Sequence, residues 1–310
     1  MNKNVNLIIG SGVIGAYLAK ELISKKEKTI VTSRKIKKNF KNYEYLKIRN
    51  KVTFEKLDVT KKKAIEKILD KYKPNKIFYF SGESSIPKSV LMPKETYISH
   101  YQGTKNFLEV LKKKKEIKFF KSNSGYIFKP NKGLVNLKCK FSQNKNPYIS
   151  AQKKVFQLID KFRKSNLSVY NLVLLQVESP LRPNSFFIKK VCLAANKKEK
   201  ISIGNINTSR DYSWATEIVK FIYKISNTTP QNFLISAGRK MSGSNILKFA
   251  YEHNKLDYRK YYIFNKKFFR KSEDKILIGD PRNRKKLEKK FNLKFRVFKK
   301  LLIKEMLKTI

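Results

Sequence analysis

The chain has 310 residues, of which 41% are hydrophobic and 13% aromatic, and its net charge at pH 7 is +49. This composition excludes a mainly disordered chain and provides enough apolar residues for a sizeable core. No apolar run reaches the length of a membrane span, so we do not expect a membrane protein. Two cysteines, Cys139 and Cys192, and two separate histidines, His100 and His253, form no metal-binding spacing. We therefore expect no metal site, and the low cysteine content favours a cytoplasmic location.

The large positive charge comes mainly from lysine, which far outnumbers arginine. Such a surface attracts polyanions. The lysines are spread over nearly every predicted helix and loop, however, and runs such as residues 61–63 and 112–115 lie beside helical patterns. Lysine, asparagine and isoleucine are all plentiful, as AT-rich coding produces. We therefore do not expect nucleic acid to be a partner.

The N-terminal stretch LIIGSGVIGAYLAKEL, residues 7–22, joins a short apolar run to a glycine-rich turn and then to a helical pattern. The glycines have the spacing Gly10-x-Gly12-x-x-Gly15, which is typical of dinucleotide-binding proteins. The first glycine permits the tight turn, and the second lets the backbone approach a pyrophosphate. The third allows the helix to pack closely against the strand.

The helix that follows this turn begins near Val13 and Ile14, whose backbone N–H groups would contact the pyrophosphate. A structural glycine turn and a secretion signal are two other interpretations. The charged pair Lys20-Glu21, the absence of a small-residue cleavage site and the strand that follows at once argue against a secretion signal. The stretch is therefore interpreted as a nucleotide-binding turn.

A second strand, Lys28–Ser33, ends beside Arg34. In dinucleotide-binding folds an acidic residue here holds the ribose 2′-hydroxyl, whereas an arginine accommodates a 2′-phosphate. The basic residue favours NADP over NAD, although NAD remains an alternative in so basic a chain. Cofactor contacts are predicted at the ends of the second, third and fourth strands: Ser33, Arg34, Asp58, Val59, Ser81 and Gly82.

Short apolar strands and helical patterns alternate through the first 175 residues. Further strands are predicted over residues 52–59, 77–80, 117–120 and 169–175, and long helices over residues 94–111 and 148–162. This alternation is typical of an α/β fold with a doubly wound parallel sheet of the Rossmann type. The C-terminal residues 285–307 also have a helical pattern.

The order of several short segments resembles that of the extended short-chain dehydrogenase/reductases, the NAD-dependent epimerase/dehydratase group, and more narrowly the GDP-mannose 4,6-dehydratases. The matching segments are the glycine turn, Asp58-Val59, Ser124 after the fifth strand, Tyr148 at the start of the next helix, VESPLR at 177–182, IGN at 203–205 with SRDY at 209–212, and RKSE at 270–273 with GD at 279–280.

The resemblance implies two domains. Residues 1–178 would form an NAD(P)-binding Rossmann domain, and residues 179–310 mainly a smaller C-terminal α/β substrate domain, with part of about 205–237 returning to the first. It also implies a nucleotide-sugar substrate similar to GDP-mannose and a homodimer or homotetramer. The implied substrate contacts are Ser84, Glu178, Ser185, Lys190, Arg210, Arg270 and Glu273.

The family's chemistry implies catalytic roles for Tyr148 and Ser124. Its members oxidise a sugar hydroxyl by hydride transfer to the cofactor, with a tyrosine base, a lysine four residues later and a serine or threonine that orients the sugar. A tyrosine titrates near pH 10, so it is a poor base at neutral pH without a nearby cation. Here Gln152 occupies the lysine position. Lys153 is the next residue, and one residue turns a helix by about 100°, so its side chain should point away.

A second departure is Tyr126, which lies two residues beyond Ser124 where dehydratases of this type carry a glutamate base. Three hypotheses follow. The one that we favour is an NADP-dependent nucleotide-sugar dehydratase with atypical catalytic residues. The others are a reductase or epimerase with the same fold, and a catalytically weak protein that binds NADP or a nucleotide sugar. An ammonium of Lys153 or Lys154 within hydrogen-bond reach of the cofactor ribose would favour an enzyme. Its absence, with no other cation near Tyr148, would favour the binding protein.

Overall fold

The computed structural model describes residues 4–35, 40–268 and 274–310. The chain forms two compact units. The first comprises residues up to Lys129, Lys140–Leu174 and Val219–Leu234. The second comprises Pro130–Cys139, Leu175–Ile218 and Ile235–Ile310. Residues 219–234, within the predicted 205–237 span, thus belong to the first unit, whereas residues 130–139 belong to the second.

The strands are short, and most of them are apolar and buried. In chain order they are β1 (Val5–Ile9), β2 (Lys28–Ser33), β3 (Thr53–Lys56), β4 (Lys76–Tyr79), β5 (Lys118–Ser124), β6 (Leu134–Val135), β7 (Val169–Leu174), β8 (Gln176–Glu178), β9 (Ile201–Ile203), β10 (Ser209–Trp214), β11 (Asn232–Ile235), β12 (Lys240–Ser242), β13 (Tyr262–Phe264) and β14 (Ile276–Gly279).

The helices range from a single turn to five turns. They are α1 (Val13–Ser24), α2 (Phe40–Tyr45), α3 (Lys62–Tyr72), α4 (Ile86–Leu91), α5 (Pro93–Tyr97), α6 (Gly103–Leu111), α7 (Pro147–Lys164), α8 (Phe187–Asn196), α9 (Ala215–Ile225), α10 (Gly243–His253), α11 (Pro281–Phe291) and α12 (Lys300–Leu307). Within the described residues, no helix is both long and apolar enough to cross a bilayer.

The first unit is built on a seven-stranded sheet with the order β11-β7-β5-β4-β1-β2-β3. The neighbours from β7 to β3 pair in parallel. The order reverses between β1 and β4, so a crevice opens there at the carboxyl ends of the strands, the usual ligand position in doubly wound sheets. The predicted doubly wound α/β fold is confirmed.

Strand β5 continues to Ser124, four residues beyond the predicted strand. The residues that follow Phe120 are polar, so the apolar pattern stops too early. They remain in the sheet because β5 pairs with β4 on one side and β7 on the other, with Lys121 opposite Tyr79 and Asn123 opposite Val173. The strand therefore brings polar side chains into the interior.

The helix predicted over residues 94–111 is interrupted by a π-helical turn, Ile98–Gln102, between α5 and α6. The apolar face continues through the turn, so the sequence pattern does not show the interruption. The hydroxyl of Thr104 donates to the carbonyl of His100 at 2.6 Å inside this turn. π-turns often occur at functional sites, and this one holds His100 in the interior.

The second unit contains a mixed five-stranded sheet, in which β12-β10-β14-β6 are consecutive and β8 also pairs with β10. Strands β9 and β13 form a separate parallel pair. Helices α8, α10 and α12 supply many residues of its apolar core. The helical pattern predicted over residues 285–307 forms two helices, because α11 ends at Asn292, whose φ of +50° is left-handed.

Candidate functional site

The turn after β1 depends on two glycines that have no room for a side chain. Gly10 has φ +106°, which disfavours other residues, and a Cβ added there would lie 2.8 Å from the backbone nitrogen of Ser81. A Cβ at Gly15 would overlap the carbonyl oxygen of Gly10. These close contacts hold the end of β1, the start of α1 and the loop after β4 together.

Gly12 differs from the other two glycines because a Cβ added there would meet nothing within 4 Å. It is the N-cap of α1, and the first turn, which begins with Val13 and Ile14, contains no acidic residue. The unpaired N–H groups of a helix start and its positive dipole end favour an anion. The open space above Gly12 therefore fits a pyrophosphate.

A cleft lies beside this turn at the point where the strand order reverses. It is lined by Ile9, Gly10, Thr32, Ser33, Arg34, Leu57, Asp58, Val59, Thr60, Ser81, Ile98 and Ser99. The structure thus brings together five of the six cofactor contacts predicted at the strand ends, together with Gly10 of the turn. The sixth, Gly82, follows Ser81 directly.

Asp58 is held in the cleft by Thr60, whose backbone N–H and hydroxyl donate to the Asp58 carboxylate at 3.0 and 2.8 Å. The backbone hydrogen bond lowers the pKa of Asp58, and the nearby charge of Arg34 lowers it further. The carboxylate is therefore ionised at neutral pH. Arg34 is exposed, and its guanidinium is suited to binding a phosphate.

Gly82 packs directly against the ring of His100. Its φ is +136°, and an added Cβ would overlap that ring. His100 is buried, and its Nε2 lies 2.9 Å from the carbonyl of Glu83. Burial lowers the pKa of His100 to about 3, with a smaller contribution from the charge of Lys121. The imidazole is therefore neutral, with Nε2 as the donor.

The predicted catalytic residues of α7 lie beside the same histidine. Tyr148 is in the first turn of α7, where the Asn146 side chain caps the helix by accepting from the Tyr148 N–H at 2.9 Å. The Tyr148 ring lies edge-on to that of His100, with 5.5 Å between centroids. One turn on, the Gln152 side-chain nitrogen lies 3.3 Å from Nδ1 of His100. Gln152 is only 3% exposed, so it belongs to a buried polar cluster.

Ser124 ends β5 and begins a 3₁₀ turn, Gly125–Ile127. Its hydroxyl accepts from the N–H of Tyr126 at 3.3 Å. Tyr126, which the sequence analysis expects in place of a glutamate base, is partly exposed. The carboxylate of Glu83 accepts from the N–H of Ser85 at 2.8 Å and so helps to shape the loop after β4.

The lysines next to Gln152 direct their ammonium groups to other partners. Lys153 donates to the carbonyl of Ser142 at 3.2 Å, and Lys154 lies 5.2 Å from the centre of the Tyr97 ring. The cation associated with the His100 cluster is instead Lys121, on β5. The sequence analysis assigned no role to Lys121 or His100, and Lys121 lies just beyond the end of the apolar strand pattern, where no signal marks it as buried.

The predicted substrate contacts occupy different environments. Ser84 is exposed in the loop before α4 of the first unit. In the second unit, Ser185 is exposed, and the Lys190 ammonium donates to the carbonyl of Ser202 at 3.0 Å. Two further predicted contacts, Arg270 and Glu273, lie outside the described residues.

Glu178 and Arg210 of the second unit are both buried. Burial raises the pKa of Glu178 to about 7, an effect that the charge of Arg182 opposes. The Arg210 guanidinium donates to the carbonyl of Ser209 at 2.8 Å. Within the described residues, no group of three or more histidine, cysteine or acidic side chains could hold a metal ion.

Known proteins similar to this chain agree with the family resemblance seen in its sequence. The sequence model of the family described as GDP-mannose 4,6 dehydratase matches residues 7–306. The chain belongs to this family. Among individual family members, the GDP-mannose 4,6 dehydratase of Dictyostelium discoideum is 23% identical over 92% of this chain and 90% of its own length. The Homo sapiens GDP-mannose 4,6 dehydratase is 24% identical over 81% of this chain and 72% of its own length.

Solved structures similar to this family member establish its fold as that of the extended epimerases and dehydratases. The dTDP-glucose 4,6-dehydratase of Bacillus anthracis, in complex with NAD, aligns with a TM-score of 0.84 at 16% identity over 99% of this chain and 96% of that chain. The UDP-glucose 4-epimerase of Thermus thermophilus, also in complex with NAD, aligns with a TM-score of 0.85 at 15% identity over 98% of both chains.

Proposed function

We propose that the protein is an NAD(P)-dependent nucleotide-sugar dehydratase that uses NADP and a substrate similar to GDP-mannose. The observation that carries this proposal is that one unit combines an open anion site at Gly12, a cleft at the sheet's switch point, Ser124 at the end of β5 and Tyr148 in the first turn of α7. The activity of the relatives supports a dehydratase, and the NAD bound in two similar structures supports a nicotinamide dinucleotide, with NADP chosen because of Arg34. Assembly as a homodimer or homotetramer belongs to the same proposal.

Different residues of the cleft would bind different parts of the cofactor. The start of α1 above Gly12 would bind the pyrophosphate, Asp58 would contact the adenosine portion, and Arg34 would bind a 2′-phosphate. When bound, the nicotinamide supplies the hydride acceptor. Tyr148 takes the proton from the sugar hydroxyl, and Ser124 orients that hydroxyl.

The elimination of water requires a second proton to be removed beside the new ketone. A neutral phenol at Tyr126 cannot act there as a carboxylate would. This observation favours a second candidate, an epimerase or reductase of the same fold, because neither reaction needs that base. A protein that only binds NADP or a nucleotide sugar is the third candidate.

Mass spectrometry of the sugar product separates these candidates. The purified protein is incubated with NADP, or with NAD, and GDP-mannose. Loss of one water from the sugar supports the dehydratase, and Tyr148→Phe should abolish that product. An isomer of unchanged mass, resolved by chromatography, indicates an epimerase. Binding of both ligands by calorimetry without conversion contradicts the dehydratase and favours a reductase or a binding protein.

A further inference from the structure

Strand β5 contains a lysine that is completely buried. Lys121 has 0% of its surface exposed, and its ammonium donates to the carbonyl of Ser122 at 2.7 Å. The same nitrogen lies 4.9 Å from the centre of the Tyr79 ring. Among the residues that the structure describes, no carboxylate forms an ion pair with it. Burying an unpaired lysine costs free energy, so its presence calls for a function.

The Lys121 side chain lies on the face of β5 that packs against α7. Side chains two residues apart on a strand share a face, so Lys121 and Asn123 point to the same side. The Asn123 side chain donates to the carbonyl of Gln152 at 3.1 Å. The Lys121 side chain therefore faces α7, on the same side of β5 as the Asn123 side chain that contacts Gln152.

One contact and one electrostatic effect connect this lysine to the His100 cluster. The Tyr79 hydroxyl, whose ring faces the Lys121 ammonium, donates to the carbonyl of Ser99 at 2.7 Å, immediately before His100. The positive charge of Lys121 also acts on the His100 ring itself. The His100 ring in turn contacts the Tyr148 ring, with 5.5 Å between centroids.

A tyrosine that acts as a base near neutral pH needs a positive charge close to its hydroxyl. In α7 the residue one turn after Tyr148 is the neutral Gln152, and the ammonium groups of Lys153 and Lys154 have other partners. We propose that Lys121 is a positioning residue, which supplies from strand β5 the positive charge that α7 does not bring to Tyr148. This inference rests on the proposed function, because it takes Tyr148 to be the base.

Under this proposal the titrations of Lys121 and Tyr148 are coupled. Burial lowers the pKa of Lys121 to about 7, so its charge changes near neutral pH. Loss of the Tyr148 proton favours retention of the lysine proton, and the pair titrates together. The other titratable groups that face Lys121 remain neutral there, because burial lowers the pKa of His100 to about 3 and raises that of Tyr79.

Carbon-13 NMR of the full chain labelled at tyrosine Cζ measures the titration of Tyr148 directly. Its resonance is assigned by its loss in Tyr148→Phe. In Lys121→Met we expect the pKa of Tyr148 to rise by about one unit or more, the size of a nearby-charge effect. The matched control Lys153→Met removes a lysine whose ammonium has another partner, and it should leave that pKa unchanged. The double variant Lys121→Gln with Gln152→Lys returns the cation to α7 and should lower the pKa again.

Equal Tyr148 pKa values in the unmodified protein and in folded Lys121→Met would overturn the inference. If Lys121→Met does not fold, the unmodified protein provides the test. Its Tyr148 resonance should respond to the titration of Lys121 near pH 7, and a resonance that stays constant between about pH 6 and 8 would also overturn it. This readout needs no turnover. A protein that shows the coupling but converts no nucleotide sugar contradicts the proposed function and leaves the role of Lys121 intact.

Discussion

Two regions of the first unit would act on a ligand in different ways. One is the glycine turn between β1 and α1, and the other is the cluster between β5 and α7. The turn acts through its backbone, and Gly10 and Gly15 are the residues that its close contacts require. The cluster would act through side-chain charge, and there the sequence analysis expects Gln152 and Tyr126 to depart from the pattern of the family. Backbone geometry leaves few alternatives, whereas a charge can be supplied from another element, as we propose for Lys121.

Replacing the tyrosine of the cluster should have the largest effect. Tyr148→Phe is expected to lower the turnover of the nucleotide sugar by about 10²- to 10⁴-fold, the usual contribution of a general base, while the Kd of NADP stays within about twofold. Steady-state kinetics and calorimetry measure both quantities. Tyr126→Phe is the matched control and should change turnover by less than about threefold, because a neutral phenol is no base. Equal losses in the two variants would show that the roles are assigned wrongly.

The same added methyl group should have different effects at two positions of the glycine turn. At Gly15 it should lower stability, and at Gly12 it should weaken cofactor binding. Gly15→Ala is expected to lower the free energy of unfolding by about 1–3 kcal/mol, since its Cβ overlaps the carbonyl of Gly10. Gly12→Ala should change it by less than about 0.5 kcal/mol but weaken NADP binding about tenfold or more, because its Cβ enters the open anion site. Urea denaturation and calorimetry test both variants. If Gly12→Ala binds NADP normally, the pyrophosphate is not held there.

Arg34 tests whether the cleft selects its ligand by charge. Arg34→Ala should raise the Kd of NADP by about 10- to 100-fold, the loss of a charge-assisted contact, and leave the Kd of NAD within about twofold. Lys35→Ala, at the next exposed position, is the control for net charge. An equal loss of affinity for both dinucleotides would contradict the preference for NADP.

The smallest expected effect is the pH dependence of stability that Lys121 contributes. Its pKa is about 7 in the folded chain and near 10.4 in the unfolded chain, so the unfolded chain binds more protons between these values. The free energy of unfolding must therefore rise with pH, by about 1 kcal/mol from pH 7 to pH 8. Denaturation of Lys121→Met should lack this increase. An identical pH dependence in both proteins would show that Lys121 is not buried as a titrating lysine.

The sequence predicted the sheet, and five of the six residues that it placed at the strand ends line one cleft, because both features depend on local patterns. The spacing of Gly10, Gly12 and Gly15 follows from the backbone geometry of a strand–turn–helix unit. The carboxyl ends of the strands in a parallel sheet meet at one edge. The polar end of β5 was missed because the apolar pattern stops at Phe120, and the π-turn that holds His100 was missed because the apolar face continues through it. The substrate contacts in the second unit stay predictions.

Because the chain is synthesised from its N-terminus, the first unit is completed late. Its last segment, residues 219–234, is made after the early part of the second unit. This segment supplies β11 beside β7, and Thr228 and Asn232 accept hydrogen bonds from Tyr170 and Arg163. Until it leaves the ribosome, β7 remains an unprotected sheet edge, which is prone to aggregation. A nascent chain stalled near residue 200 should therefore need a chaperone, and a fragment cut at residue 178 should not fold into a cofactor-binding domain.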